Sequence, residues 1–227
     1  MPEPRPGQFF MIEVNKGTDP LLKRAFSLFR KTEQGVQILY RIRGKGTEIL
    51  KDMKEGSLLE VLGPLGTCYP LPSGDTIPLV IAGGIGIASV FSFVEQVAGR
   101  AMVFYGARTK NDLLMYDELK GFAKEILVST DDGSAGTKGT AADALSSFLS
   151  NSQSPTHNYR IYACGPPLLL KTVSETAREY TIPSYISMEE HMACGIGACL
   201  GCVVKTRDGY TRVCKEGPIF ESQEIIW

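Results

Sequence analysis

Between residues 76 and 185 the chain alternates short apolar runs with helix-length stretches, and this rhythm restricts the fold more than any other feature. Residues 77–82, 101–105, 126–129 and 159–164 read as buried strands, and 87–97, 112–119, 141–149 and 167–180 as the helices between them. Strands joined through helices run parallel, so the expected unit is an α/β domain with a parallel sheet covered on both faces.

The flanking segments have other patterns. In residues 1–72, apolar or aromatic runs at 9–14, 25–28, 36–42 and 58–62 are separated by NKGTDP, RKTEQG and KEG, with one short helix over 47–54. Short strands without a long helix to cover them are expected to close as a small antiparallel β-barrel. The Gly- and Pro-rich stretch GPLGTCYPLPSGD marks the boundary to the parallel-sheet domain at 76–185. The last segment, 187–227, is too short for a large core of its own and carries four of the six cysteines.

Composition excludes some classes. Lys and Arg total 24 against 25 Asp and Glu, for a net charge of -1, which argues against a general nucleic-acid binder. No basic start leads into an apolar signal segment, and no run approaches the ~20 apolar residues of a membrane span, so a cytoplasmic location is expected.

Three groups of residues carry chemistry. Gly83, Gly84 and Gly86 lie in IPLVIAGGIGIAS, where a strand ends and a helix begins. Glycine there permits close approach of a phosphate to backbone N–H groups, or simply a tight turn. YACGPP repeats the arrangement at a second strand end with Cys164, Gly165 and Pro166. Cys164 is readable as a small buried residue or as a neighbour of bound nicotinamide. The third group, Cys194, Cys199, Cys202 and Cys214, forms C-x4-C-x2-C-x11-C around CGIGACLGC. Four thiolates suit tetrahedral zinc or [2Fe-2S], and x4 followed by x2 is the ferredoxin-like order, which favours the cluster. No two histidines stand in register for a Rieske centre, and His157 and His191 are poor catalytic candidates. In the first segment, Arg24 and Gly46-Thr47 could serve a phosphate and Phe26 or Tyr40 a ring, although surface and sheet roles account for them equally well.

The series PGQFF, LKRAFSLF, LYRIRGKGT, LGPLG, IAGGIGIAS, FYGAR, TDDGSAGTKG, YACGPP and MACGIGACLGCVVK spans nearly the whole chain. In this order it resembles the electron-transfer subunits of class B dihydroorotate dehydrogenases, within the ferredoxin reductase superfamily. The resemblance implies an FAD-binding barrel, a nicotinamide-binding α/β domain and a C-terminal [2Fe-2S] domain. It assigns Arg24, Ala25, Phe26, Ser27, Leu39, Tyr40, Arg41, Gly46 and Thr47 to FAD, with Ala25 standing where the family has proline. Gly83, Gly84, Gly86, Cys164, Gly165 and Pro166 are assigned to NAD, and the four cysteines to the cluster. It further implies an FMN-containing catalytic partner in a heterotetramer of two subunits of each kind. Dihydroorotate chemistry would then belong to the partner, and no catalytic residue is expected here. Electrons would pass from FMN through the cluster and FAD to NAD. Rival functions are a reductase subunit of a hydrogenase, a glutamate synthase-like enzyme or an NAD(P)H–ferredoxin system, a solitary flavoenzyme, and a zinc-stabilised regulatory subunit. Asp131 and Asp132 would disfavour a 2′-phosphate if aimed at a ribose, or serve as turn residues.

Overall fold

The computed structural model describes residues 2–152 and 155–227, so Met1, the first residue of the expected 1–72 segment, lies outside the description. The chain begins with β1 (Phe9–Glu13), β2 (Arg24–Ser27), β3 (Arg30–Thr32), β4 (Gly35–Gln37), α1 (Lys45–Lys51) and β5 (Glu60–Leu65). It continues through β6 (Ile77–Gly83), α2 (Ile87–Gln96), β7 (Met102–Ala107), α3 (Tyr116–Leu119), β8 (Glu125–Thr130), β9 (Thr137–Lys138) and α4 (Ala141–Asn151). Then follow β10 (Tyr159–Cys164), α5 (Pro167–Glu179), β11 (Ser184–Ser187), β12 (Val203–Thr206), β13 (Gly209–Arg212) and β14 (Ile219–Glu221).

The N-terminal strands form an antiparallel sheet in the order β2-β1-β5, and β3 and β4 pair as a separate hairpin. Because side chains alternate across a strand, β1 feeds two cores. Phe10, Ile12 and Val14 pack with Leu28 and Leu50 of α1, while Phe9 and Met11 enter the core shared with the central sheet and the cysteine segment.

The central sheet runs β14-β11-β10-β6-β7-β8-β9, parallel except where β14 pairs antiparallel with β11. Alternation again divides the packing: Leu79 and Ile81 face the core that holds Leu145 of α4 and Val173 of α5, whereas Val80 and Ala82 face Val90 and Phe91 of α2. Local chemistry starts α4 where expected, since the Asp143 carboxylate accepts the Thr140 N–H at 2.8 Å and the Thr140 hydroxyl accepts the Asp143 N–H at 3.2 Å.

Several expectations need correction. The helix expected over 112–119 is a 3-10 turn at Lys110–Asp112 and the short α3, separated by Met115 at φ 55. The Asp112 carboxylate accepts from Thr109, and the Tyr105 hydroxyl donates to the Leu114 carbonyl at 3.1 Å, which removes an acceptor that a continuous helix would use. The strand expected over 36–42 stops at Gln37. The sheet has seven strands rather than four, because β9, β11 and β14 are too short to stand out in the sequence. β11 also crosses the expected break between 185 and 187.

Arg30 ties the β3–β4 hairpin to the central domain. Its guanidinium donates to Glu95 at 2.6 Å and Glu118 at 2.9 Å and lies 4.8 Å from the Phe91 ring centroid. Burial works against the charge, but the bonds to Glu118 and Glu95 outweigh it and hold the Arg30 pKa above its ordinary value. Arg30→Ala is expected to cost about 1–2 kcal/mol in urea unfolding, and Arg30→Lys to recover only part of it, lacking the planar fork. An unchanged denaturation midpoint in Arg30→Ala would show that this tie is not needed.

Candidate functional site

Strand order reverses at β6, which has β10 on one side and β7 on the other. β7 and β8 extend the sheet one way, and β10 and β11 the other, so the chain leaves β6 for α2 on one face of the sheet and β10 for α5 on the other. Open α/β sheets bind ligands at this switch point. Gly83, Gly84 and Gly86 follow β6; Cys164, Gly165 and Pro166 follow β10.

The glycines differ in what they do. A Cβ on Gly86 would lie 2.4 Å from the Cys164 carbonyl oxygen, so Gly86 lets the two loops touch. A Cβ on Gly83 would lie 2.5 Å from Leu169 and 2.8 Å from Pro166. Gly84, at φ +54, has open space beside it. Packing therefore explains two of the three, and only at Gly84 is the space beside the backbone open.

A cleft of about 840 Å³ joins this edge to the N-terminal sheet. Ala25, Phe26, Ser27, Leu39, Tyr40 and Arg41 line it together with Gly86, Cys164, Gly165 and Pro166. The chain ends β4 early so that residues 39–41 can turn into this wall. Phe26 and Tyr40 meet edge-on at 5.6 Å between centroids. Arg41 reaches Asp112 of the central domain at 3.7 Å.

Arg24, Gly46, Thr47, Gly83 and Gly84 do not line the cleft. Arg24 instead lies over the first turn of α1, where a Cβ on Gly46 would come within 2.7 Å of its Nε. It donates to the Leu22 carbonyl at 2.5 Å. The Thr47 hydroxyl is engaged in the cap of α1, accepting from the Arg43 N–H at 2.9 Å and donating to the Gly44 carbonyl at 2.9 Å. A guanidinium fork over Gly46, the one residue of that turn without a side chain, fits a pyrophosphate, and a long cleft between two sheets fits a ring system larger than a single base.

A polar group, buried at Tyr69, Ser89, Cys164 and Ser187 and reaching the surface at Glu189, underlies the cleft. Cys164 donates to the Glu189 carboxylate at 3.9 Å, Tyr69 and Ser89 are 3.4 Å apart, and Ser89 donates to Ser187 at 3.3 Å. Burial, then Glu189, pushes the Cys164 thiol up and keeps it protonated; burial also raises Glu189, against the pull of Arg43. Glu189 and Arg43 both line the cleft; Arg43 stands inside LYRIRGKGT with no role assigned to it, and Glu189 belongs to no motif. The remaining signal was proximity, since Glu189 and Glu190 stand just before the first clustered cysteine.

The cysteines are arranged by the β12–β13 hairpin. Cys202 and Cys214 flank it, the Val213 N–H donates to the Cys202 carbonyl at 2.8 Å, and both thiols are buried. The eleven residues between them are the ten of the hairpin and Val213. Cys194 and Cys199 lie on the loop before it, which turns through Gly195, Gly197 and Leu200 at positive φ. Arg212 braces this loop by donating to the Gly197 carbonyl at 2.9 Å.

Backbone N–H groups point at the sulfurs: Ala198 donates to Cys194 Sγ at 3.3 Å and Gly201 to Cys199 Sγ at 3.5 Å. Bonds from Ile196 and Cys199 hold the Cys194 thiol down at about 6, while burial and Cys202 hold Cys214 up at about 12. Among the described residues no three His, Cys, Asp or Glu side chains stand close enough together to enclose a metal ion. The donor chemistry nonetheless fits an iron–sulfur group: all four are free thiols, with N–H donors turned toward them. His157 and His191 are exposed. Asp132 is a turn residue, accepting from the Ser134 N–H at 2.9 Å and hydroxyl at 2.6 Å. No helix among the described residues is long and apolar enough to cross a membrane.

Comparison with known proteins places these features in a family. Residues 189–226 match the profile of the iron–sulfur cluster binding domain of dihydroorotate dehydrogenase B, and residues 80–175 that of the oxidoreductase NAD-binding domain. The dihydroorotate dehydrogenase B (NAD(+)) electron transfer subunit of Caldanaerobacter subterraneus subsp. tengcongensis is 35% identical, over 99% of this chain and 88% of its own length. That of Clostridium acetobutylicum is 36% identical, over 99% and 87%. A chain from the NADH-dependent reduced ferredoxin-NADP oxidoreductase, solved in a study of flavin-based electron bifurcation, superposes with a TM-score of 0.85 at 28% identity, covering 99% of this chain and 80% of that one. Matched along nearly its whole length at this identity, the chain belongs to the family of dihydroorotate dehydrogenase B electron-transfer subunits.

Proposed function

We propose that the chain relays electrons from the FMN of a dihydroorotate-oxidising partner through [2Fe-2S] and FAD to NAD+, in pyrimidine biosynthesis. The observation that supports this most directly is the single cleft shared by residues 25–27 and 39–41 on one side and Gly86 and Cys164–Pro166 on the other. A flavin supplies the exchange between the two-electron chemistry of nicotinamide and the one-electron chemistry of the cluster.

The chain's own residues bind and orient. Arg24, over Gly46 and beside Thr47, takes the pyrophosphate of FAD, while Ala25, Phe26, Ser27, Leu39, Tyr40 and Arg41 wall its ring and ribityl portions. Gly83 and Gly86 hold the β6 and β10 loops together, and Gly84, Cys164, Gly165 and Pro166 face NAD. Cys194, Cys199, Cys202 and Cys214 hold the cluster, with the N–H groups of Ala198 and Gly201 directed at ligand sulfurs. No residue here acts as general base on dihydroorotate. The corresponding units are an FAD-binding barrel at 1–72, an NAD-binding domain at 76–185 whose sheet also takes β14, and a cluster domain within 187–227. They serve a cytoplasmic heterotetramer of two catalytic and two electron-transfer subunits.

The test is anaerobic purification with iron, sulfide and flavin assays, low-temperature EPR, and NAD+ reduction with the FMN subunit and dihydroorotate. Two iron and one FAD per chain, a spin-half signal on reduction and dihydroorotate-dependent NADH are expected. Zinc without flavin would overturn the reading. The likeness to the NADH-dependent ferredoxin-NADP oxidoreductase supports a second reading, a reductase subunit of another complex; that reading predicts ferredoxin-linked and no dihydroorotate-linked turnover. Arg24→Ala is expected to weaken FAD binding roughly tenfold by removing a charge-assisted fork, read by equilibrium dialysis of the flavin. Unaltered flavin affinity would remove Arg24 from the site.

A further inference from the structure

Gly195 stands beside the first clustered cysteine and has no role in the assignments above. A Cβ there would lie 2.6 Å from Met11 Cγ, and 3.3 Å from both Met11 Sδ and Leu65 Cδ1. The cysteine loop therefore seats bare backbone on two neighbouring strands of the N-terminal sheet, β1 and β5. Met11 is fully buried beneath it, in the core that also holds Phe9, Cys202, Val204 and Cys214. Gly197, two residues on, has a similar positive φ, yet a Cβ there would meet Lys215 and Arg212 of the cysteine segment itself. The close approach to the N-terminal sheet is particular to Gly195.

The register of β1 shows what lies across from this contact. Met11 pairs with Ala25, and Phe9 with Ser27. Directly opposed residues of an antiparallel pair point to the same face, so Ala25 and Ser27 share a face of the sheet with Met11 and Phe9. Ala25, Ser27 and Phe9 line the cleft. The cysteine loop and this wall of the cleft are thus neighbours on one face of one sheet, a single strand step of about 4.8 Å apart.

We propose that the seating of Gly195 on Met11 sets the gap between the iron–sulfur group and the flavin, and with it the rate at which electrons cross. The proposal rests on the cofactor assignments above and adds the residues that fix the separation. At each crossing one electron leaves the cluster and one enters the flavin, with no bond made or broken, and such a transfer slows steeply as the gap widens. Neither Gly195 nor Met11 lines the cleft, so both are positioning residues.

The test uses the FAD- and cluster-loaded chain mixed with NADH, which reduces the flavin and lets electrons run back to the cluster, followed by stopped-flow absorbance. Gly195→Ala is expected to slow this internal step several-fold, while iron, flavin and the EPR signal of the cluster stay as in the wild type. Met11→Phe, which pushes from the sheet side without straining the loop, should slow it likewise. Met11→Leu, of similar volume, should not. Combining Gly195→Ala with Met11→Ala makes room for the added methyl group and should restore the rate. The contact also has a reading without turnover: in urea unfolding the double variant should lose less stability than the sum of its two single variants.

Unchanged transfer in both Gly195→Ala and Met11→Phe overturns the proposal. So does a slowing in Gly195→Ala that Met11→Ala fails to relieve, since the strain of a left-handed alanine then accounts for it. If Gly195→Ala loses iron, equal rates in Met11→Phe and Met11→Leu overturn the proposal by themselves. A wild-type chain that carries no cluster or no flavin refutes the cofactor assignments, a failure distinct from failure at Gly195.

Discussion

Replacing Cys199 with serine is expected to leave a folded, flavin-bearing chain that no longer passes electrons from dihydroorotate to NAD+. Cys199 is exposed, so the loss of its sulfur removes little packing and should change the stability of the cluster-free chain by no more than about 0.5 kcal/mol. Its consequence for the cluster is large, because a hydroxyl is a poor substitute for a thiolate on iron. Even changes behind a metal ligand weaken such sites 10–100-fold, so loss of a ligand should lower dihydroorotate-linked turnover by at least about 100-fold. NADH oxidation by an artificial dye needs the flavin alone and should persist. Cys68→Ser, outside the quartet, should change neither rate. Iron content, EPR amplitude and the two rates on one preparation decide the matter. A Cys199→Ser chain with the full signal and full linked rate would remove Cys199 from the ligand set.

A second large effect is expected at Gly86. An added methyl would meet the Cys164 carbonyl oxygen at 2.4 Å, the Cys164 carbonyl carbon at 2.6 Å and the Gly165 nitrogen at 2.8 Å. All three are main-chain atoms at or just past the last β6–β10 register pair, Cys164 with Ala82, so relief requires the two loops to part. Overpacking costs about 1–3 kcal/mol where side chains can adjust, and this site lies at or above the upper end. Parting the loops also widens the crevice, so affinity for NADH should fall along with stability.

The neighbouring glycines give the ordering. Gly83→Ala meets Leu169 and Pro166 side-chain atoms and should be milder. Gly84→Ala meets nothing and bears only the cost of a left-handed conformation, about 1 kcal/mol. Urea unfolding and NADH titration of the three variants measure both effects. A larger loss at Gly84 than at Gly86 would show that the loops can separate freely.

The parallel sheet was legible because each of its main strands carries its own local signal. Tyr159–Cys164 and the helix beginning at Pro167 have the expected bounds, since an apolar run ends at Gly165 and proline starts the helix. What was illegible depends on distant partners. Residues 38–42 have strand-like composition, yet they leave the ladder, and 39–41 line a cleft whose other wall is made by the distant loops after β6 and β10. The 112–119 helix breaks because Tyr105 takes the Leu114 carbonyl, and nothing in the local pattern signals a tyrosine from the previous strand.

The candidate site divides the same way. Glycines and cysteines announce themselves through spacing, and the eleven-residue interval before Cys214 is explained by the hairpin. Glu189 and Trp227 share the cleft without belonging to any motif, and Arg43 stands in LYRIRGKGT without an assigned role, so only the folded chain brings them into view.

The pairing of β14 with β11 changes what kind of unit the cysteine segment is. Ser187 and Ile219 are register partners, and the Met188 N–H donates to the Pro218 carbonyl at 2.9 Å. Everything between them leaves and re-enters the sheet through one narrow neck, with partner Cα atoms only about 5 Å apart. The cysteine segment is thus an insertion within a hairpin of the dinucleotide domain rather than a bead on its end. An ancestral chain could have acquired it, or lost it, by exchanging a short reverse turn for a longer one, leaving the register of the sheet intact.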